Sequence, residues 1–256
     1  MSDTASLIAI SDLPFVKPGD DLAGLIAAAL ERGIGKLITT GDILVVAQKI
    51  VSKAEGRYVD LARVEPGIEA QRLARETEKD ARLVQVILDE SRRIVRHRPG
   101  VLIVEHRLGY VMANAGVDRS NVDPAMGDEP VLLLPRDPDA SAASLREKLA
   151  RHFGSAPAVI ISDSFGRAWR NGTTGIALGV AGLPSLIDMR GHEDLYGRAL
   201  RVTEIGFADE IAAAASLLMG QADEALPAVV VRGLTWSAQP RPAKALIRAA
   251  AEDLFR

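Results

Sequence analysis

The sequence predicts a mixed α/β fold of the α+β type that binds its ligands where strands end. Short apolar runs rich in valine, isoleucine and leucine recur between longer stretches of helical periodicity. Hydrophobic residues fill 48% of the 256 positions but aromatic residues only 4%, which indicates an aliphatic core. Residues 1–256 are predicted to form a single unit or two closely joined subdomains, because no repeat or low-complexity linker interrupts them.

Strands and helices are expected along the whole chain. The predicted strands, each a short apolar run bounded by turn formers, cover residues 6–10, 43–47, 101–105, 110–113, 131–134, 159–163 and 228–231. The predicted helices cover residues 22–33, 66–96, 141–153, 208–219 and 242–255. Asp20 and Asp21 are expected to cap the first helix, and Ser141 or Ser144 the third. The two strands within residues 101–113 are predicted to pair as a hairpin.

Composition narrows the possible partners. The formal net charge of −3 argues against a broad nucleic-acid surface and against attraction to a membrane. The absence of cysteine removes disulfides, thiolate nucleophiles and cysteine-type zinc sites. The first residues lack the pattern of a signal peptide, and no apolar run approaches the roughly 20 residues of a membrane helix. We therefore expect a cytoplasmic protein with neither a membrane nor a nucleic acid as partner.

Two catalytic motifs are only partly matched and are rejected. Ser164 has a glycine two residues later, but Ser162 stands where a nucleophile elbow needs its first glycine. The Gly–Lys pair at residues 35–36 suggests a phosphate-binding loop, yet Leu30 and Leu37 occupy the positions that require glycine and a hydroxyl residue. The four histidines have no metal-ligand spacing. Serine, zinc and P-loop chemistry are all disfavoured.

Oxygen ligands and cations collect in the loops that follow strands. They are Asp118, Asn121, Asp163 and Ser164 on the oxygen side, and Lys53, Arg167 and Arg170 on the cationic side. Carboxylate, amide and hydroxyl oxygens suit magnesium, manganese or calcium. Metal ions and cationic side chains that neutralise phosphate oxygens are what phosphoryl transfer requires.

Each of these loops also has a simpler interpretation. Residues 48–57 could form a solvated turn, and residues 114–123 are rich in ordinary turn formers. Arg167 and Arg170 could serve for capping and surface pairing. The loops gain weight as a set, because each of them follows a predicted strand.

Six separated motifs resemble the coenzyme F420-0:γ-glutamyl ligase family. They are NAGVDRSNV from residue 114, IISDSFGR from residue 160, VSKAEG from residue 51, DLYGR from residue 194, a helix that begins ADEIA at residue 208 and ends in LMG, and PAVVVRG from residue 227. The resemblance runs in the family's order over residues 7–233.

The resemblance implies an activity. Members of this family are GTP-dependent amide ligases that join L-glutamate to the phospholactyl carboxylate of F420-0, and they can add further γ-linked glutamates. The reaction passes through an acyl phosphate. The implied ions are Mg²⁺ or Mn²⁺, with two divalent ions expected, and K⁺ is allowed as a further ion. The implied fold is the mixed α/β ligase fold, in which two subunits intertwine as a homodimer. This chain would be the stand-alone form, without the C-terminal flavin reductase domain of some relatives.

The resemblance also implies roles for individual residues. The GTP contacts are Leu13, Pro14, Phe15, Val16, Gln48, Lys53, Asn121, Met219, Gly220 and Gln221. The metal ligands are Asp118, Asp163, Ser164 and Gln221, and the catalytic residues are Asp163 and Arg167. The chain departs from the family pattern at Gln48, where relatives carry serine, at Ser164 in place of threonine, and at Gln221, where glutamate is frequent.

Two other functions use the same residues. A metal-dependent phosphohydrolase would turn over nucleotide whether or not F420-0 and glutamate are present. A nucleotide-binding regulator would bind GTP tightly and form no product with any acceptor.

Overall fold

The computed structural model describes residues 4–33 and 38–254 and confirms a mixed α/β protein. The strands are β1 Ser6–Ala9, β2 Ile43–Ala47, β3 Tyr58–Asp60, β4 Ser91–Arg98, β5 Val101–His106, β6 Val111–Ala113, β7 Pro130–Leu132, β8 Ala158–Arg167, β9 Arg170–Ala181, β10 Ile187–Asp188, β11 Glu204–Ile205 and β12 Ala228–Arg232. The α-helices are α1 Leu22–Gly33, α2 Gln48–Ala54, α3 Ile68–Thr77, α4 Ala81–Asp89, α5 Pro138–Phe153 and α6 Phe207–Met219. The rejected Gly–Lys pair at 35–36 lies outside the described residues.

A five-stranded sheet organises the chain, with the strand order β1-β12-β2-β8-β9. Strands β2 and β8 are parallel, and every other neighbouring pair is antiparallel. Strands β1, β2 and β8 therefore point in the same direction, so their carboxyl ends meet at one edge of the sheet.

Both faces of this sheet are covered, which explains why β2 is apolar at successive positions. Leu44 and Val46 pack against α1, α2 and α5, whereas Ile43 and Val45 pack against α6. A third apolar cluster gathers α3 and α4 against β4 and β5. Strands β3 and β7 pair beside it and return the chain to the central sheet.

Several predicted elements are confirmed. Strands β1, β2 and β12 and helices α1 and α6 lie where the sequence predicts them, to within one or two residues. Strands β5 and β6 pair antiparallel, as the predicted hairpin requires.

Three predicted elements are wrong. Residues 48–57 begin with helix α2 rather than a loop. The predicted helix 66–96 is interrupted, because Glu78 adopts left-handed backbone angles and Asp80 caps a new helix through the amide of Arg82. Its last part is strand β4, which pairs with β5. The predicted helix 242–255 consists, within the described residues, of two short 3₁₀ turns at Ala243–Leu246 and Ala250–Glu252.

Helix α5 starts earlier than predicted. Asp137 caps it by accepting from the amide of Ala140, so neither Ser141 nor Ser144 is the capping residue. Ser141 lies within the helix and donates to the carbonyl of Asp137 and to Glu55.

The strand that begins near residue 159 does not stop at Asp163. It continues to Arg167, turns through residues 168 and 169, and returns as β9. The glycines that follow are part of this strand because neighbouring backbones lie very close to it. A Cβ at Gly175 would overlap the carbonyl of Ala212 in α6, and one at Gly179 would overlap the carbonyl of Pro138 in α5.

Gly179→Ala is expected to lower the free energy of unfolding by about 2–3 kcal/mol, because the new Cβ meets backbone that cannot rotate away. Urea denaturation measures the loss. Gly41→Ala is the matched control: within residues 4–33 and 38–254, no atom apart from those of Gly41 and its chain neighbours lies within 4 Å of its Cβ position, and its effect should stay within about 0.5 kcal/mol. Equal stability of the two variants would contradict the packing described for β9.

Candidate functional site

The candidate site lies at the edge of the central sheet where β1 and β2 end and where β8 extends beyond its pairing with β2. The loop of residues 11–16 follows β1, and helix α2 starts at Gln48 directly after β2. Ser162 is the last residue of β8 paired with β2, so Asp163 extends beyond that edge. The turn after α6 reaches the same edge, where Ala47 donates to the carbonyl of Pro227. The fold thus brings segments distant in sequence to one edge.

Asp118 lies in the loop that follows β6, next to the third apolar cluster, and an unusual backbone conformation precedes it. Asn114, Ala115 and Gly116 have φ values of 53°, 51° and 68°, three consecutive residues in the left-handed region. A Cβ at Gly116 would lie 2.8 Å from side-chain atoms of Leu134 and Met112. Asp118 then exchanges both backbone hydrogen bonds with Leu132. This turn redirects the chain after β6 and fixes the aspartate toward the sheet edge.

Lys49 binds the Asp118 loop to the central sheet. Its Nζ atom lies 2.8 Å from Oδ2 of Asp118 and donates to the Ser120 hydroxyl at 2.6 Å. The amide of Ser120 donates to Oδ1 of the same aspartate at 2.7 Å. Burial alone would raise the pKa of Asp118, but the bonds from Lys49 and Ser120 hold it below its ordinary value. Lys49 is not among the residues predicted from the sequence, although it stands beside Gln48 immediately after a strand.

Asp163 faces this ion pair. Its burial raises its pKa to about 6, while the amide of Ser164 and the charge of Lys49 act to lower the pKa and Asp118 acts to raise it. The two aspartates and the lysine therefore form one electrostatic group. A carboxyl group with this pKa is largely charged at neutral pH, at a cost that a cation would relieve.

Asp163 and Ser164 belong to opposite faces of β8. Asp163 pairs with Ile176, which packs in the cluster of Met112, Leu134, Phe165 and Leu178 on the side of the Asp118 loop. Ser164 pairs with Gly175, and a Cβ atom at Gly175 would point at α6. Because paired residues share a face and successive residues alternate, the two side chains point apart.

Two further residues that are predicted to contact GTP lie on α2. Gln48 is buried, and its Oε1 accepts from the hydroxyl of Ser52 at 2.9 Å. Lys53 has a lowered pKa, because of burial and the nearby charge of Lys49, with Asp123 acting in the opposite direction. Two lysines of one helix thus lie close together, facing the carboxylates of a neighbouring loop.

Asn121 links the Asp118 loop to the turn after α6. Its Nδ2 donates to the carbonyl of Ala222 at 3.0 Å. Gly220 ends α6 with φ 69°, and Glu224 fills the space where a Cβ would lie. Met219 is half-buried and its sulfur lies 3.9 Å from the hydroxyl of Ser162, whereas Gln221 is exposed.

The loop after β1 combines anchors with an exposed ring. Leu13 and Val16 pack against the core on the α1 side. Pro14 is exposed, and Phe15 is 90% exposed. Its anchored neighbours therefore hold the aromatic ring of Phe15 in solvent.

Arg167 and Arg170 lie at the tip of the β8–β9 hairpin, apart from the other predicted residues. Both are exposed, and Arg167 donates to the carbonyl of its own neighbour Asn171 at 3.1 Å. Arg167 lies four positions after Asp163 along the extended strand, a span of about 13 Å. Among the described residues, neither arginine forms a hydrogen bond or a salt bridge with Asp118 or Lys49.

The donor set fits a hard divalent ion. Oxygen ligands are offered by Asp118, Asp163, Ser164 and Gln221. The ammonium of Lys49 already lies against the carboxylate of Asp118, in a position that suits a cation. Within residues 4–33 and 38–254, no three His, Cys, Asp or Glu side chains are grouped closely enough to hold a metal ion. Such a sparse set suits Mg²⁺ or Mn²⁺, which retain water and bind substrate phosphates alongside one or two carboxylates.

A mixed α/β fold with carboxylates and lysines at the carboxyl edge of its sheet is typical of enzymes that act on phosphorylated substrates. Comparison with known proteins is more specific. The profile of the family described as F420-0:Gamma-glutamyl ligase matches residues 11–233. The chain belongs to this family, and the prediction that it is an enzyme of the ligase class is confirmed.

Three relatives illustrate the similarity. The chain is 47% identical over 253 residues to the coenzyme F420:L-glutamate ligase of Methanothermobacter thermautotrophicus, covering 98% of both chains. It is 47% identical over 245 residues to the enzyme of that name from Methanopyrus kandleri, covering 94% of this chain and 93% of the relative. It is 41% identical over 247 residues to the enzyme of that name from Methanocaldococcus jannaschii, covering 96% of this chain and 94% of the relative.

In the part of this chain that the structure describes, no helix is long and apolar enough to cross a membrane.

Proposed function

We propose that this protein ligates L-glutamate to the terminal phospholactyl carboxylate of coenzyme F420-0, with GTP as the phosphoryl donor, and can extend the product by γ-linked glutamates. The observation that carries the proposal is the 47% identity, over 98% of both chains, to a coenzyme F420:L-glutamate ligase. The GTP-dependent part is supported by the group of Asp118, Asp163, Lys49 and Lys53. Its lysines suit the phosphates of a nucleoside triphosphate, and its carboxylates suit the accompanying metal ion.

The chemistry requires two steps, because a carboxylate is a poor acyl donor. A carboxylate oxygen of the acceptor attacks the γ-phosphorus of GTP, so GDP leaves and an acyl phosphate forms. The amine of glutamate then attacks the acyl carbon, inorganic phosphate leaves and the nitrogen loses a proton. One amide bond is formed for each GTP converted to GDP and phosphate.

The lysines of α2 would neutralise phosphate charge in this scheme. Lys49 and Lys53 lie one turn apart on one helix, and both are charged groups in a partly buried setting. Gln48 and Asn121, the loop of Leu13, Pro14, Phe15 and Val16, and the turn of Met219, Gly220 and Gln221 would surround the nucleotide. The role of Lys49 rests on its place one turn from Lys53, and the other roles rest on the family resemblance together with their common edge of the sheet.

Asp118 and Asp163 would hold one divalent ion, Mg²⁺ or Mn²⁺, and Ser164 with Gln221 a second. Two ions suit the geometry, since Asp163 and Ser164 point to opposite faces of β8. Bound ions would neutralise the charge that develops on the phosphate oxygens. K⁺ remains a further proposed ion, without a residue of its own.

Arg167 would contact the acceptor rather than the nucleotide. Its guanidinium is exposed at the hairpin tip, about 13 Å along the strand from Asp163, and suits a carboxylate or phosphodiester group.

The proposed homodimer has independent support in the apolar residues exposed between β10 and β11, where Leu195 is 100%, Tyr196 85% and Val202 86% exposed. The cytoplasmic location stays a prediction.

Incubation of the protein with F420-0, glutamate, GTP and Mn²⁺ is expected to yield glutamylated F420-0 by mass spectrometry, with one GDP per amide bond. Omission of glutamate should abolish the glutamylated product. The absence of both product and GDP under these conditions would overturn the proposal. GDP released at a rate independent of F420-0 and glutamate would instead identify a phosphohydrolase, and tight GTP binding without turnover a regulator.

A further inference from the structure

We propose that Lys49 is the resident counter-ion of the metal site: its ammonium neutralises Asp118 in the metal-free enzyme, competes with the divalent ion, and makes metal binding depend on bound nucleotide. The inference rests on the proposed function, because it takes the metal and the nucleotide from there. It concerns a residue for which neither the family motifs nor the strand-end pattern supplied a role. Its basis is the geometry of the ion pair.

All the hydrogen-bonding capacity of Lys49 is directed at one loop. An ammonium has three donors, and Nζ of Lys49 meets three oxygens: Oδ2 of Asp118 at 2.8 Å, the hydroxyl of Ser120 at 2.6 Å and the carbonyl of Ser120 at 3.4 Å. The side chains of Lys49 and Asp118 are 25% and 35% exposed. The pair is therefore partly shielded from water and stronger than a bridge on open surface.

Both carboxylate oxygens of Asp118 are already engaged. Oδ1 accepts from the amide of Ser120 at 2.7 Å, and Oδ2 faces the ammonium. A divalent ion on Asp118 would approach an oxygen to about 2.0–2.2 Å, within the space that Lys49 now controls. Two cations on one carboxylate repel each other, so an ion entering here displaces Lys49 from Asp118.

A displaced Lys49 has a second lysine as its neighbour on α2. Lys53, on the same face of α2, is close enough for the charge of Lys49 to lower its pKa. Asp163 is the remaining carboxylate of the group, and it is a ligand for the same ion. The phosphate oxygens of a bound nucleoside triphosphate would supply the missing negative charge. Metal and nucleotide should therefore bind cooperatively, each by its own contacts and both through Lys49.

Lys49→Met tests this idea because it keeps the length of the side chain and removes its charge. Without nucleotide, the variant should bind Mn²⁺ about tenfold more tightly than the wild type, since two carboxylates are left without a cation. A non-hydrolysable GTP analogue should tighten Mn²⁺ binding to the wild type but change it much less in the variant. Titration followed by the electron paramagnetic resonance signal of free Mn²⁺ measures all four affinities without reference to turnover.

Three controls separate charge from structure. Lys49→Gln repeats the test with a second uncharged side chain, and Lys49→Arg keeps the positive charge and should bind Mn²⁺ as weakly as the wild type. Lys148→Met removes a lysine of α5 that pairs with Asp21 at 3.3 Å outside the site; it should leave the Mn²⁺ affinity unchanged. Circular dichroism and melting temperatures verify that each variant is folded.

An unchanged or weaker Mn²⁺ affinity in folded Lys49→Met and Lys49→Gln would overturn the inference, as would an affinity of Lys49→Arg equal to theirs. The proposed function would survive that result, because the wild type would still form glutamylated F420-0. If wild type and variants all fail to bind Mn²⁺ with and without the analogue, the metal assignment and the inference fall together.

Discussion

Asp163→Asn is expected to lower ligase turnover by more than about 100-fold while the protein stays folded. The substitution preserves volume but replaces an anionic oxygen by an amide within β8, just beyond its pairing with β2 and beside Asp118 and Lys49. Loss of a residue that merely supports a metal ligand already costs about 10–100-fold, so loss of a ligand should exceed that range. Asp89→Asn is the matched control, because Asp89 is exposed at the end of α4.

The same variant should be more stable than the wild type at pH 8 in the absence of metal. Burial raises the pKa of Asp163 to about 6 from the ordinary aspartate value of 3.8. The folded protein therefore holds this proton more tightly than the unfolded chain, and stability falls as pH rises from about 4 to about 6. Asparagine resembles the protonated form, so it should gain on the order of 3 kcal/mol above pH 6 and nothing below pH 4.

Urea denaturation at pH 8 and at pH 3.5 measures this difference. A turnover like that of the wild type would mean that Asp163 is not a metal ligand. An equal or lower stability of Asp163→Asn at pH 8 would mean that its carboxylate is not held at a cost in the folded protein. The two results are independent, because the first reports on the loaded site and the second on the metal-free protein.

The sequence allows the central strands to be predicted because each is a local pattern. Ile43 to Val46 are apolar at every position, and a strand with both faces covered has to be. Strand β8 was predicted too short because Asp163, Ser164 and Gly166 resemble the end of a strand. Its continuation depends on pairing with β9 and on the close approach of α5 and α6 to the glycines of β9, and these are contacts between distant segments.

The candidate site divides in the same way. The pattern of polar residues after strands was enough to select Asp118, Asn121 and Asp163, which the fold brings to one edge of the sheet. The pairing of Lys49 with Asp118 could not be predicted, because it joins a helix of the central sheet to a loop of the third cluster. The separation of Asp163 from Ser164 required knowing that β8 stays extended. Individual roles toward GTP came from resemblance alone.

Glu90→Gln is expected to lower the free energy of unfolding by about 3 kcal/mol without touching the candidate site. Oε2 of Glu90 accepts from Arg57 at 2.9 Å and from Arg107 at 3.0 Å, and it lies 3.5 Å from Nε2 of the fully buried His106. These contacts join the end of α4, the segment after α2 and the β5–β6 hairpin. The variant leaves Arg57 shielded from water without a counter-charge, which is the costly way to break a buried pair.

The pH dependence of this loss has a defined sign. Burial alone would raise the pKa of Glu90, but His106, whose Nε2 lies 3.5 Å away, and the charges of Arg57 and Arg107 together lower it to about 2. The stabilisation is therefore complete above the ordinary glutamate pKa near 4.5 and is lost as pH falls toward 2. Urea midpoints of wild type and Glu90→Gln should converge over that window. Glu69→Gln, which breaks an exposed pair with Arg72, should leave the midpoint unchanged, and an equally small effect of Glu90→Gln at pH 7 would show that the network around Glu90 does not hold the third cluster together.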